Sequence, residues 1–142
     1  MLIASGIVFV LFGLVGLVGQ LISTVNFELA QKLGLQEKDA ETEPLFRRLE
    51  LNTARWDLFV IWTLPLAGVL MLIDHSGWPY LSLVAGGVHV DTAGREAAKL
   101  LGLKAQGIRI GADKEVRVAL FLFGVMAAIG VWAVVYGLVS LK

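Results

Sequence analysis

Two polar clusters interrupt an otherwise apolar chain of 142 residues, and both have spacing that could do chemistry. The first is His89, Asp91, Thr92, Arg95, Glu96 and Lys99. On a helix, Asp91, Arg95 and Lys99 recur at four-residue steps and share a face, while His89, Thr92, Glu96 and Lys99 share the adjacent one. An intramembrane patch of His89, Asp91, Arg95 and Glu96 would be expensive, and such groups often mark ion or proton sites. The same residues also fit an interfacial ion-pair ladder whose long side chains reach headgroup water. Spacing alone leaves both readings open.

The second cluster is Arg47, Arg48, Glu50, Asn52, Arg55 and Asp57. Arg48, Asn52 and Arg55 fall on one helical face, and Glu50 and Asp57, seven apart, share another. Arginines at a membrane boundary bind anionic headgroups or an anionic substrate, and an asparagine there can bridge helices. Arg117 opens the last apolar segment and faces the same interface. Arg48, Asn52 and Arg117 are therefore the candidate ligand-binding residues, against a plainer reading as helix bridging and membrane anchoring. No metal site is expected. His75 falls in the outer loop and His89 toward the inner face, so they cannot share a ligand set within one chain, and there is no cysteine to supply thiolates, disulfides or a nucleophile. Gly107 to Gly111 lacks the lysine and hydroxyl of a phosphate loop.

The elements that must hold these clusters are apolar helices. The hydrophobic fraction is 57% and the charged fraction 17%, with a mean hydropathy of +0.77. A soluble domain this small buries only about two-thirds of the surface its chain exposes, too little to hide that composition. Spans of roughly 20 residues are needed to cross the bilayer, and uncharged runs place them at about 2–24, 57–74, 77–92 and 117–141. The runs do not alternate as barrel strands would. The first is expected to be retained, since it has no basic residue before Leu2 and no small-residue cleavage site after it. Helix two should begin outside the bilayer near Thr42, with Pro44 in its first turn and a kink at Pro65. Helix three should run past Asp91 to Leu101, and Asp113 can cap helix four. The expected fold is an all-α, four-helix transmembrane bundle, a single domain over 1–142, with helices two and three extending into the cytoplasm.

Eleven of the twelve basic residues crowd connections one and three, and only Lys142 lies elsewhere. The positive-inside rule therefore puts both connections in the cytoplasm and both termini outside it, in what reads as a bacterial inner membrane. Gly13, Gly16 and Gly19 on helix one, and Gly124 with Ala128 and Ala133 with Gly137 on helix four, have the spacing of close helix contacts, within the chain or between copies. Twelve acidic residues balance the basic ones, so no net field points to nucleic acid.

With four helices and this length, the pattern resembles the membrane-associated eicosanoid and glutathione metabolism superfamily. Arg48 and Asn52 match the first two positions of that family's Arg-x-x-x-Asn-x-x-Glu pattern, and Arg117 stands where its fourth-helix arginine does. Arg55 occupies the glutamate position, and the tyrosine-rich end of helix three is absent. The resemblance implies a homotrimeric enzyme binding glutathione, or a similar anionic thiol, between subunits. The residues themselves favour a noncatalytic accessory, assembly or packing subunit with no cofactor, in a homo-oligomer or membrane complex. A small transporter or channel using His89, Asp91 and Arg95 is a third expectation.

Overall fold

The computed structural model describes residues 1–141. Six α-helices account for nearly all of it: α1 (Leu2–Val25), α2 (Phe27–Lys32), α3 (Pro44–Val60), α4 (Thr63–Leu72), α5 (Trp78–Ala105) and α6 (Asp113–Ser140). Among the described residues there is no strand, only an isolated antiparallel bridge between Thr42 and Ile110. Three stretches are long and apolar enough to cross a membrane: α1, α3 with α4 as one 29-residue unit, and α6. Their outward faces carry Ile3, Leu11, Val15, Phe121, Leu122 and Val135, all exposed. An apolar surface of that extent is costly in water and suits contact with lipid. The chain is thus an all-helical protein of a composition suited to a membrane.

Each break has a local cause. At Asn26 the backbone leaves the helical region, and the Asn26 Oδ1 accepts from the Leu29 N–H at 3.0 Å to cap α2. Gly34 then stops α2 with a left-handed φ of +72°. Helix α3 starts one residue later than Thr42 suggests: Glu43 is the N-cap, Pro44 takes the first helical position, and the Thr42 hydroxyl donates to the Lys38 carbonyl. Pro65 has no N–H to give the Ile61 carbonyl, so the helix opens at Ile61 and Trp62, and the Thr63 hydroxyl donates to the freed Val60 carbonyl at 2.9 Å. Likewise Asp113 is not the cap of α6; Ala112 is, and its N–H donates to Glu115 Oε2 at 3.2 Å.

Two tight helix pairs build the core. Helices α5 and α6 meet at Gly86 and Gly130, where a Cβ on Gly86 would lie 2.5 Å from the Gly130 carbonyl oxygen. Gly137 packs on Pro79 in the same seam. Helices α1 and α4 meet through Gly6 on Gly68 and Gly13 on Pro65. Small residues permit such approaches where no hydrophobic drive exists between helices. Only part of the glycine repeat on α1 serves this seam. A Cβ on Gly16 would meet only the movable Ile61 side chain at 3.2 Å, and nothing lies near Gly19. Nor does anything lie near Gly124, which is exposed, as is Ala128. The two pairs are joined by buried Phe9, Leu64, Met71, Trp78, Ala85 and Ala133, with Phe9 edge-on to Trp132 at 5.3 Å. The connections 33–43 and 106–112 lock together at the far end: the Glu43 N–H donates to the Arg109 carbonyl at 2.9 Å, and the Gly111 N–H to that of Glu41 at 3.2 Å.

Candidate functional site

The heptad rhythm of α5 sets one stripe against the rest of the bundle. Ser82, Ala85, His89, Thr92 and Glu96 are all buried, whereas Asp91 is exposed. This is the inward face that a helix of 3.6 residues per turn presents at steps of three and four. Facing it from α3 are Glu50, Thr53 and Asp57, with Asp57 only 1% exposed. Glu50 and Asp57 of the second sequence cluster thus meet the buried face of the first, and these two parts form one site.

Arg95 is the bridge. Its Nη2 donates to Asp57 Oδ1 at 2.9 Å, while its contact with Asp91 is 3.8 Å and its contact with Glu96 is 3.6 Å. The Asp91 side chain is 73% exposed, so the four-residue pair read from spacing is the weaker of the two. Gln20 of α1 reaches the other Asp57 oxygen at 3.5 Å. One turn further on, Lys99 pairs with Glu50 at 2.6 Å and with Glu96, and its ammonium donates to the Thr53 hydroxyl at 3.4 Å. The result is a chain of alternating charges, Asp57–Arg95–Glu96–Lys99–Glu50, clamped between α3 and α5. Low-dielectric surroundings make such a network strong when complete and costly when a member is missing.

Beside this chain lies a cavity of about 350 Å³, walled by α1, α3, α5, α6 and residues 35–37. Its volume is that of a small-molecule site. Helices α1 and α6 touch at Phe9 and Trp132 and leave the space between their other halves to it, with exposed Val15 and Leu122 at the rim. The apolar wall includes Phe12, Phe46, Leu100, Phe123 and Met126. Its ionisable side chains are Glu37, Glu50, Asp57, Glu96 and His89, and no lysine or arginine lines it. His89 is fully buried, and its Nδ1 lies 2.9 Å from the Ala85 carbonyl. Since a carbonyl can only accept, Nδ1 carries the hydrogen, which leaves Nε2 as a bare acceptor when the ring is neutral. That Nε2 is buried with no protein hydrogen-bond partner, whereas Glu96 Oε1, also without a hydrogen bond, lies 3.6 Å from the Arg95 guanidinium. Buried polar atoms are nearly always satisfied, so the bare His89 Nε2 on a cavity wall points to something that enters it.

The other candidates lie elsewhere. Arg48, Asn52, Arg55 and Arg117 are exposed and none touches the cavity. Within one chain they are not gathered with the buried cluster, and an interface between copies would have to complete any site they form. Sequence reasoning did not find the cross-helix pairs Asp57–Arg95 and Glu50–Lys99, although the seven-residue spacing of Glu50 and Asp57 had put both on one face. Also unforeseen is a carboxylate group around Glu37 of the cavity wall, where Glu37, Glu41 and Glu115 bring oxygens within 4.8 Å of one another. Burial, then hydrogen bonding and repulsion from Glu115, push the Glu37 carboxyl up to about 8, so it holds a proton that an exposed glutamate would release. No protein-family model matches the chain, and neither a curated protein nor a solved structure is significantly similar to it.

Proposed function

We propose that this protein is a four-span bundle of the bacterial inner membrane, with both termini non-cytoplasmic, that binds and carries a small amphiphile through its cavity. Helix α5 is the fourth span on this reading. Its 28 residues extend about 42 Å, more than the hydrocarbon thickness. Its low hydropathy is explained by where the polar groups go: His89, Thr92 and Glu96 face protein, while Asp91 faces out and Arg95, partly exposed, turns its guanidinium to Asp57. The single observation carrying the functional reading is a cavity with the buried, unpartnered His89 Nε2 on its wall and open between α1 and α6. A packing subunit has no use for such a hole, which forfeits contacts on every side. The basic connections put its charged end at the cytoplasmic face.

The chain has no native cysteine, so one introduced at Thr53 on the cavity wall is a clean probe. A charged, membrane-impermeant thiol reagent should modify Thr53→Cys from the cytoplasmic side alone. A bulky second substitution on the same wall, Ala119→Phe, should block the reaction. Failure to react from either side, with exposed Ser76→Cys reacting normally, would mean no accessible cavity exists.

An accessory or assembly role is the second reading, and the uncovered Gly124 and Ala128 favour it, since both face away from the chain's own helices. A trimeric glutathione-type enzyme would need Arg48, Asn52 and Arg117 to meet across a subunit seam. The cavity's own carboxylates repel an anionic thiol, so such a ligand would have to bind at that seam.

A further inference from the structure

The charges around the cavity do not balance. Three carboxylates, Glu50, Asp57 and Glu96, have side chains no more than 18% exposed, and two cations, Arg95 and Lys99, serve them. Arg95 lies closest to Asp57 and 3.6 Å from Glu96, while Lys99 serves both Glu50 and Glu96, so the cluster is one positive charge short and its weakest compensation is at the two glutamates that share Lys99. The other groups facing them do not correct it. On α5, His89 spends its Nδ1 on the Ala85 carbonyl, and Asp91 points outward. From α1 comes only neutral Gln20, and from the 33–43 connection the carboxyl of Glu37. Helix α6 contributes Val116, Ala119, Phe123 and Met126 to the wall, with Glu115 beside Glu37. An uncompensated negative charge in a confined, largely apolar space is expensive. It must be met by a proton or by a cation.

We propose that the cavity takes an organic monocation, an ammonium with an apolar body, in exchange for one proton held by the Glu50–Lys99–Glu96 cluster. This rests on the cavity being a ligand site, as argued above, and adds the ligand's charge and the coupling. The recognition chemistry is on the wall. Glu50, Asp57 and Glu96 line the cavity with one positive charge too few among their partners Arg95 and Lys99, and the rings of Phe12, Phe46 and Phe123 line the same space. The exchange balances: the shared carboxyl loses its proton to bulk water, the cluster becomes one unit more negative, and the ligand's single positive charge restores the net charge of the occupied cavity to its value before. An anion or a neutral body would gain nothing from the surplus carboxylate. A cation and a proton excluding one another on the same group is the coupling a carrier needs to draw on a proton gradient.

The test uses the full chain purified in mild detergent and three probes of similar shape: benzyltrimethylammonium, its uncharged isostere neopentylbenzene, and benzoate. The quaternary ammonium keeps its charge at every pH, so any pH dependence belongs to the protein. Calorimetry in two buffers of different ionisation heat counts the protons released. Benzyltrimethylammonium should bind with release of close to one proton, its affinity rising toward roughly tenfold per pH unit until the site is deprotonated. Neopentylbenzene and benzoate should bind at least tenfold more weakly. Glu96→Gln, and independently Glu50→Gln should the first fail to fold, should abolish the proton release and weaken the cation at least tenfold, while Asp91→Asn changes neither. Equal binding of the neutral isostere, or cation binding without proton release, overturns the proposal and leaves the cavity a ligand site. Absence of binding by all three overturns it too, and Thr53→Cys reactivity then decides whether the cavity reading falls with it.

Discussion

Removing Arg95 should cost far more than removing the acid four residues before it. Asp57 is buried against α5, and Arg95 is, among the described residues, the only cation that touches its carboxylate, at 2.9 Å. Arg95→Gln would strand that carboxylate, and breaking a buried pair from one side costs roughly 3–5 kcal/mol. The lower end applies, because the Arg95 side chain is 40% exposed and water can follow it in. Asp91→Asn breaks a contact of 3.8 Å with 73% of the Asp91 side chain exposed, worth about 0–1 kcal/mol. For a chain of this size a loss of about 3 kcal/mol lowers the midpoint of thermal unfolding by roughly 10 °C, and the Asp91 change by a few degrees at most. Adding Asp57→Asn to Arg95→Gln removes both charges and should recover most of the loss, giving a coupling of about 2 kcal/mol or more. The assay is thermal unfolding, in one detergent, of the unaltered chain, Arg95→Gln, Asp57→Asn, their double variant and Asp91→Asn. Equal effects of Arg95→Gln and Asp91→Asn, or no recovery in the double variant, would show that the Asp57–Arg95 pair does not hold α3 to α5.

Gly86→Leu should abolish the folded form, since its Cβ meets Gly130 backbone and no side chain there can yield; Gly124→Leu, with nothing near it, should leave monomer melting unchanged, and size-exclusion chromatography checks both. Asp74 sits in the left-handed region at φ +50° where the chain turns after α4, so Asp74→Gly should raise stability by about 0.5–1 kcal/mol in a denaturant titration. The raised Glu37 carboxyl binds its proton more tightly folded than unfolded. Its contribution is therefore full below about 4.5 and is lost as pH rises toward about 8. Melting temperature should fall across that window, and Glu37→Gln should flatten the slope.

How much was legible in the sequence follows from which physical signals are local. Apolar runs, Gly34, Pro44 and the break before Pro65 are local, and helix starts came within a residue or two, whereas α5 runs to Ala105, four residues past the expected Leu101. The two faces of the α5 cluster were also legible, because helical period alone separates Asp91 from His89, Thr92 and Glu96. Partnership across helices was not. Nothing in the spacing says whether Arg95 turns to Asp91 on its own helix or to Asp57, 38 residues away, since that depends on the crossing of α3 and α5. The glycine stripe failed in part for the same reason: its period marks a smooth face, and the Pro65 break decides that Gly13 meets a neighbour while Gly19 borders the cavity. A cavity is a relation among four helices and leaves no mark in any one of them.

Everything argued about depth and sidedness requires that α5 cross the bilayer despite its charges. Single cysteines at exposed Lys38, Ser76 and Gln106 and at Ser140, each in the cysteine-free chain, can be labelled with an impermeant maleimide in intact cells and in inverted vesicles. Lys38→Cys and Gln106→Cys should react only in inverted vesicles, and Ser76→Cys and Ser140→Cys only in intact cells. Reaction of Ser76→Cys and Gln106→Cys from the same side would show that α5 does not span the membrane, and the four-span account would be wrong.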